Sequence, residues 1–228
     1  MKTKAWLSWS SGKDSAWSLH VMRELGEFEI TALLTTVNRT HSRVAMHAVR
    51  ENILDAQAAA VGLPLVKIPI PSPCPNEIYE AAMAEAMAHA RSEGVTHIVF
   101  GDLFLGDIRK YREDNLAKCG MTAIFPLWGR NTRELAEEMV AEGLCVFLTC
   151  VDPKKLDASF AGRAFDEKFL AEIPASVDPC GENGEFHTCV VAGPMFNREI
   201  PVQRGEIVER DGFVFADLIL PAYKSVQS

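Results

Sequence analysis

The sequence has no Cys-x-x-Cys pair, no excess of positive charge and no long apolar run, and each absence removes a class of function. Its six cysteines stand apart at 74, 119, 145, 150, 180 and 189, which leaves a zinc ribbon or a thioredoxin-type dithiol without support. The even count does not by itself imply disulfides in a chain of 228 residues. Lys plus Arg number 23 against 31 Asp plus Glu, a formal net charge of −8. Nucleic acid is therefore a poor general partner, although a local basic pocket remains open. No apolar run approaches the ~18 residues that span a bilayer, and Met1 to Trp9 turns polar too soon for a signal peptide. These absences predict a soluble protein of a reducing, cytoplasmic compartment. A homo-oligomer is not legible either way, and Trp6, Trp9 and Trp128 read as core rather than interface.

What is present is enough for a packed core: 48% of the residues are apolar and 24% charged. Lys4 to Trp9 reads as a first strand. A helix is predicted over Asp14 to Leu25, with Trp17, Val21 and Leu25 on one stripe. Strands over Glu29 to Val37, Leu65 to Ile70, Thr96 to Phe100 and Thr122 to Leu127 alternate with helices over Val44 to Val61, Asn76 to Ser92 and Ile108 to Lys118. Strict β–α alternation predicts a doubly wound, parallel, five-stranded α/β sheet with helices on both faces. Ligands bind such sheets beyond the carboxyl ends of the strands. After Trp128-Gly129 the pattern changes to helices over Thr132 to Ala141 and Phe165 to Ile173 and a buried strand over Leu144 to Val151. Strands and turns follow from His187 to Leu220, with Arg210-Asp211-Gly212 as a hairpin turn. This predicts a first domain over 1–130 and a smaller α+β domain over 131–228.

Ser10, Ser11, Gly12, Lys13, Asp14 and Ser15 join the first strand to the first helix. Small residues admit a ligand close to the backbone, the helix start offers free N–H groups, and Lys13 adds a cation, which together suit phosphate. The loop is not a Walker A motif, because Leu7 stands where that pattern needs Gly and Asp14 where it needs Ser or Thr. A single Gly also excludes the dinucleotide fingerprint. Gly101-Asp102 ends the fourth strand, with Gly106-Asp107 close behind. Either Asp can hold Mg²⁺ through one carboxylate and waters or cap the next helix; placement favours a cap for Asp107 and the ligand reading for Asp102. Arg109 and Arg112 share a helix face, which either clamps an anion or is a solvated surface countered by Glu113. His41, Arg43 and His47 follow the second strand, and Arg43 suits a phosphate or a substrate carboxylate. The histidines show no metal spacing, and Met46, Met83 and Met87 read as core filler. Gly181 to Thr188 is a turn feeding a strand that collects Glu182, Asn183, Glu185 and His187.

Ser10 to Ser15 resembles the pyrophosphatase (PP-loop) signature Ser-Gly-Gly-x-Asp-Ser of the adenine nucleotide alpha-hydrolase superfamily, with Ser11 in the place of a Gly. A small residue at negative φ is expected to serve there. Arg43-Val44-x-Met46-His47, Gly101-Asp102, Tyr111-Arg112 and Gly181-Glu182-Asn183-Gly184-Glu185-Phe186-His187 narrow the resemblance to the diphthine–ammonia ligase family, over nearly the whole chain. The resemblance implies a Rossmann-like (HUP-type) ATP domain followed by a smaller C-terminal domain. It implies ATP and Mg²⁺ as cofactors. It further implies a carboxylate substrate, which is diphthine on translation elongation factor two where the host makes diphthamide, and ammonia as acceptor. In that reading Ser10 to Ser15, Gly101 and Asp102 bind ATP, with Asp102 on Mg²⁺. Lys13, Glu185 and His187 are catalytic, while Arg43, Arg109, Arg112, Glu182, Asn183 and Glu185 hold the substrate. The chemistry is attack of a carboxylate on the alpha phosphate, release of pyrophosphate, and capture of the adenylate by ammonia or an amine. A tRNA-modifying or sulfur-transferring relative, or a sensor that only binds adenine nucleotide, are the rival readings.

Overall fold

The computed structural model describes residues 2–38, the backbone of 43–44, and 49–221. Its first half is the expected α/β sheet: β1 (Thr3–Ser8), β2 (Phe28–Asn38), β4 (Leu65–Ile70), β5 (His97–Val99) and β6 (Thr122–Ile124) run parallel in the order β4-β2-β1-β5-β6. A short β3 (Arg43–Val44) pairs antiparallel with the end of β2. Alternation along β1 sends Ala5 and Leu7 to one face of the sheet and Trp6 to the other. The first face is covered by α1 (Lys13–Leu25) and α2 (Glu51–Val61), and the second by α3 (Asn76–Ser92) and α4 (Gly106–Lys118).

The second half is built on an antiparallel sheet of β7 (Cys145–Val151), β8 (Phe186–Ala192), β9 (Gln203–Arg210) and β10 (Phe213–Ile219), in the order β8-β7-β10-β9. α5 (Thr132–Ala141) and α6 (Glu167–Glu172) precede and follow β7. β9 and β10 are joined by Asp211-Gly212, with φ of 53° and 80°, the left-handed pair that a two-residue hairpin turn requires. One apolar core runs unbroken from Leu7 and Leu19 to Leu148, Phe169 and Val190, so the two sheets are packed against each other.

Three expectations are corrected. Trp17 is fully buried but Leu25 is 57% exposed. Each four-residue step on an α-helix overshoots a full turn by about 40°, so a stripe taken at i, i+4, i+8 drifts off the buried face, which is Ala16, Leu19 and Met22. The helix expected from Val44 begins only at Glu51. Arg50 stays extended (φ −66°, ψ 145°) and its Nε and Nη2 make a bidentate ion pair with Asp217 on β10 at 2.5–3.1 Å. The strand expected to reach Leu127 stops at Ile124, where Pro126, which has no N–H for a ladder, enters a turn.

The two halves are tied together by a buried amide. Gln57 on α2 is 0% exposed. Its Oε1 accepts from Trp9 Nε1 at 2.9 Å, and its Nε2 donates to Val190 O at 2.7 Å and Ser11 O at 3.1 Å. Replacing it by an apolar residue strands the Trp9 indole N–H and the Val190 carbonyl in the core. Gln57→Leu is therefore expected to cost about 2–4 kcal/mol, read as a lower urea midpoint at unchanged m-value. A loss under about 0.5 kcal/mol would mean that these groups are satisfied in some other way.

Candidate active site

The loop between β1 and α1 is set by its backbone. Ser11 takes φ of +72°, not the negative φ expected of a small residue there. A non-glycine residue in this region costs about 1 kcal/mol or more. The conformation persists because the Ser11 carbonyl is held from both sides, by Val190 N–H on β8 at 2.9 Å and by Gln57. The hydroxyls of Ser10 and Ser15 lie 3.2 Å apart, Ser15 Oγ donates to Gly12 O at 2.9 Å, and Gly12 N–H donates to Ser10 Oγ at 3.3 Å. Ala16 N–H to Gly12 O at 3.2 Å closes the first turn of α1. The N–H groups of Asp14 and Ser15 precede that bond and lie at the positive end of the helix, the arrangement that takes a phosphate.

Gly101 lies against this turn. A Cβ there would sit 2.9 Å from the Asp14 carbonyl carbon and 3.0 Å from Ser15 N, so only glycine lets the end of β5 approach the loop this closely. A cleft of about 240 Å³ opens beside it. Ser10, Lys13, Asp14 and Ser15 line it from the loop, Gly101, Asp102 and Arg112 from the β5 side, and Glu182, His187 and Thr188 from the second half.

Lys13 is 1% exposed. Its ammonium donates to both Asp14 oxygens at 2.7 Å and to the Cys180 carbonyl, with the Phe165 and Phe186 ring centroids each 5.8 Å away. Burial works most strongly against its charge, but Asp14, with Cys180 and Glu182 adding, outweighs burial and holds the pKa above the usual lysine value. His187 is pushed the other way, first by burial and then by the Lys13 charge, and is neutral at pH 7. Asp102 pairs with Arg112, Nε to Oδ2 at 2.8 Å and Nη2 to Oδ1 at 3.1 Å. Asp14 and Asp102 thus each already face a cation, and among the described residues no group of three His, Cys, Asp or Glu side chains gathers around a point. The residues present fit the anionic groups of a nucleotide but do not form a resident site for a divalent cation.

The turn 181–184 faces the cleft through Glu182. Gly181 has φ of +72°, and a Cβ on it would meet the Phe186 ring at 3.0 Å. Glu182 Oε1 accepts from Leu103 N–H at 2.8 Å, and its own N–H donates to Asp178 Oδ2 at 2.9 Å, so this side chain links the turn to the segment after β5. Burial chiefly, with Asp14 adding, pushes its carboxyl up to about 7. Glu185 is placed elsewhere: it is 3% exposed, does not line the cleft, and its Oε1 accepts from Asp178 N–H at 3.0 Å and Asn183 Nδ2 at 3.3 Å. Arg109 and Asn183 are likewise outside the cleft wall. The Arg109 guanidinium lies 4.7 Å from the Trp128 ring and its Nε pairs with Glu113 at 2.8 Å. The side chain of Arg43, and His41, Met46 and His47, lie outside the described residues. Thr188, whose Oγ1 accepts from Lys13 N–H at 3.2 Å, and Gln57 are contributors that motif reading passed over. Burial pushes the Cys180 and Cys189 thiols up to about 12, so both are neutral and unreactive at pH 7.

The Glu182 carboxyl gives a signed expectation. Its folded pKa of about 7 exceeds the 4.5 of the free side chain. The folded state therefore prefers the proton, and this contribution to stability is lost as pH rises from 4.5 to 7. Urea midpoints of the native chain and Glu182→Gln, measured over this range, are expected to diverge, with the native chain falling relative to the variant as pH rises. Parallel curves would show that the carboxyl titrates normally.

Sequence models of the diphthamide synthase N-terminal and C-terminal domains match residues 1–123 and 131–217. Among curated proteins, the chain is 27% identical over 184 residues to the bovine protein named diphthine–ammonia ligase, covering 74% of this chain and 68% of that one. The rat protein of the same name is 25% identical over 233 residues, covering 91% and 85%. The human one is 30% identical over 118 residues, covering 49% and 44%. With more than half of its length matched by one of these models and most of the remainder by the other, the chain belongs to the diphthamide synthase family.

Proposed function

We propose that the chain is an ATP-dependent ligase that adenylates a substrate carboxylate, releases pyrophosphate, and transfers the acyl group to ammonia with release of AMP. The observation that carries this reading is the one cleft shared by the β1–α1 loop, Arg112, the turn that bears Glu182 and the start of β8, which bears His187. A sensor needs the loop but has no use for a titrating carboxyl and a neutral imidazole facing it. The names of the relatives point to the same ligase class.

In this reading the Asp14 and Ser15 N–H groups, with Lys13, hold the phosphates and offset the charge that builds on the leaving pyrophosphate. Arg112 orients the substrate carboxylate toward the alpha phosphate. Glu182, once ionised, takes a proton from ammonium so that ammonia can attack the acyl carbon; its pKa of about 7 suits that work near neutral pH. His187, held neutral, accepts a proton from the attacking nitrogen. Glu185 positions the turn by binding Asp178 and Asn183. Magnesium bound to the triphosphate would supply charge neutralisation there; Asp102 could hold it only in place of its pair with Arg112. Diphthine on elongation factor two is the carboxylate substrate in a host that makes diphthamide, and the exposed Phe104 and Ile108 after β5 suit contact with a protein that carries it.

Alpha- and gamma-labelled ATP, followed separately with the diphthine-bearing factor and ammonium, test this reading. AMP and pyrophosphate are expected, abolished in Lys13→Ala. In the native chain kcat is expected to rise through about pH 7 and level off, and Glu182→Gln to lose that limb along with most of the rate. ADP and phosphate as products would overturn the chemistry, and tight ATP binding without turnover would favour the sensor.

A further inference from the structure

The second sheet, of order β8-β7-β10-β9, has two outer strands in different surroundings. β8 is closed off by the β1–α1 loop, through Val190 N–H to Ser11 O at 2.9 Å. β9 pairs with β10 on one side and, among the described residues, with no strand on the other. Only its start is tied down, where Arg204 Nη1 donates to Gly162 O at 3.2 Å. From Glu206 to Arg210 every residue is exposed. Ile207 and Val208, which point to opposite faces of the ribbon, are 61% and 45% exposed. Bare apolar residues on an unpaired edge invite another strand, and charges of one sign would blunt it. This edge instead carries both signs, Glu206 and Glu209 with Arg210.

The ladder decides which groups face outward. Across the Asp211-Gly212 turn, Phe213 stands opposite Arg210, Val214 opposite Glu209, Phe215 opposite Val208 and Ala216 opposite Ile207, and the register shifts beyond that pair. The pair that closes a two-residue turn exchanges both hydrogen bonds, and bonded and open pairs alternate from there. Arg210 and Val208 therefore turn their N–H and C=O groups to β10, while Glu209 and Ile207 turn theirs outward. A second copy that meets this edge antiparallel under two-fold symmetry places one residue opposite itself. With Glu206 or Glu209 on the axis, glutamate faces glutamate. With Arg210 there, arginine faces arginine, and with Ile207 there, Arg204 faces Arg210. With Val208 on the axis, Glu206 of each copy faces Arg210 of the other, and Ile207 and Glu209 exchange main-chain bonds. Of the registers centred on the bare stretch, this one alone opposes unlike charges.

We propose that β9 is a homodimer interface, in which two copies of the chain pair their β9 edges antiparallel about a two-fold axis at Val208. The two four-stranded sheets then become one of eight strands, with β8 of each copy at an outer end, so both clefts stay open. Val208 packs on its own copy beside Phe215, whose ring already lies 4.9 Å from the Arg210 guanidinium. A single strand ladder is a small contact, so the dimer is expected to have a Kd in roughly the micromolar range. None of this depends on the ligase reading of the cleft.

Sedimentation velocity of the full chain over a range of concentrations reads the dimer, and charge reversals read its register. Glu206→Arg and Arg210→Glu each set like charges opposite one another twice, and each alone is expected to weaken dimerisation roughly ten-fold or more. Mixed one to one, the two variants are complementary again and are expected to regain the native affinity as a heterodimer, which also shows that each is folded. Ile207→Pro removes an outward N–H that β10 does not use and is expected to leave a folded monomer. Val208→Cys sets two thiols across an open pair, about 4.5 Å apart at Cα, and is expected to give a disulfide-linked dimer with diamide. Ile207→Cys and the native chain are expected to give none. A native chain that stays monomeric up to roughly 1 mM would overturn the proposal and leave the edge to solvent or to a strand of another protein. So would a dimer indifferent to the reversals and to Ile207→Pro, reversals that do not rescue one another, or equal cross-linking at 207 and 208.

Discussion

The Ser11 carbonyl accepts hydrogen bonds from Val190 N–H on β8 and from the Gln57 amide on α2, and the rest of the cleft depends on this junction. It holds Ser11 at positive φ, which turns the next peptide groups so that α1 can start at Lys13. Two further contacts from the second half complete the anchorage, Lys13 N–H to Thr188 Oγ1 and the Lys13 ammonium to the Cys180 carbonyl. A loop that in a bare βαβ unit would be bounded only by its own strand and helix is here clamped by a strand of another sheet. The cost of a strained serine and a buried lysine is met by hydrogen bonds that neither half makes alone.

Charge in the cleft is distributed in pairs. Lys13 faces Asp14, and Arg112 faces Asp102, so the net field is small and the attraction for an anion comes mainly from backbone N–H groups and the start of α1. Such a site would need no large reorganisation of charge to accept an anion, because each ion is already held in place. Glu182 is the exception. It has a backbone N–H from Leu103 but, among the described residues, no cation within an ion-pair distance, and burial leaves it poised to gain or lose a proton near neutrality. The chain thus combines fixed charges that position with one labile carboxyl that can move a proton.

The alternation of apolar runs and amphipathic segments made the parallel sheet legible, because strands buried on both faces need unbroken apolar residues and their crossovers need one apolar face. The small residues and single lysine between β1 and α1 marked that loop in the sequence as a candidate phosphate site. Sequence spacing failed where long-range contacts set the answer. The Ser11 φ is imposed by β8, and the start of α2 by the Arg50 pair with Asp217, and neither partner is near in sequence. In the 181–187 stretch, Glu182 and Glu185 carry the same chemistry three residues apart, and only the turn geometry sends one to the cleft and the other inward. Gln57 did leave a trace: an amide among Ile53, Leu54, Ala58 and Val61 on the buried stripe of α2 is a polar group that must be satisfied in the core. That signal can be read from pattern alone.

The claim that the second sheet holds the phosphate loop is tested most directly by native-state hydrogen exchange. The account predicts that the amides of Lys13 and Val190 exchange only by the same cooperative opening as the interior amides of β7, with one common free energy and one common dependence on denaturant. Exchange of Lys13 N–H through a local opening several kcal/mol cheaper than that of Val190 would contradict it, because the loop would then move freely while β8 stayed in place.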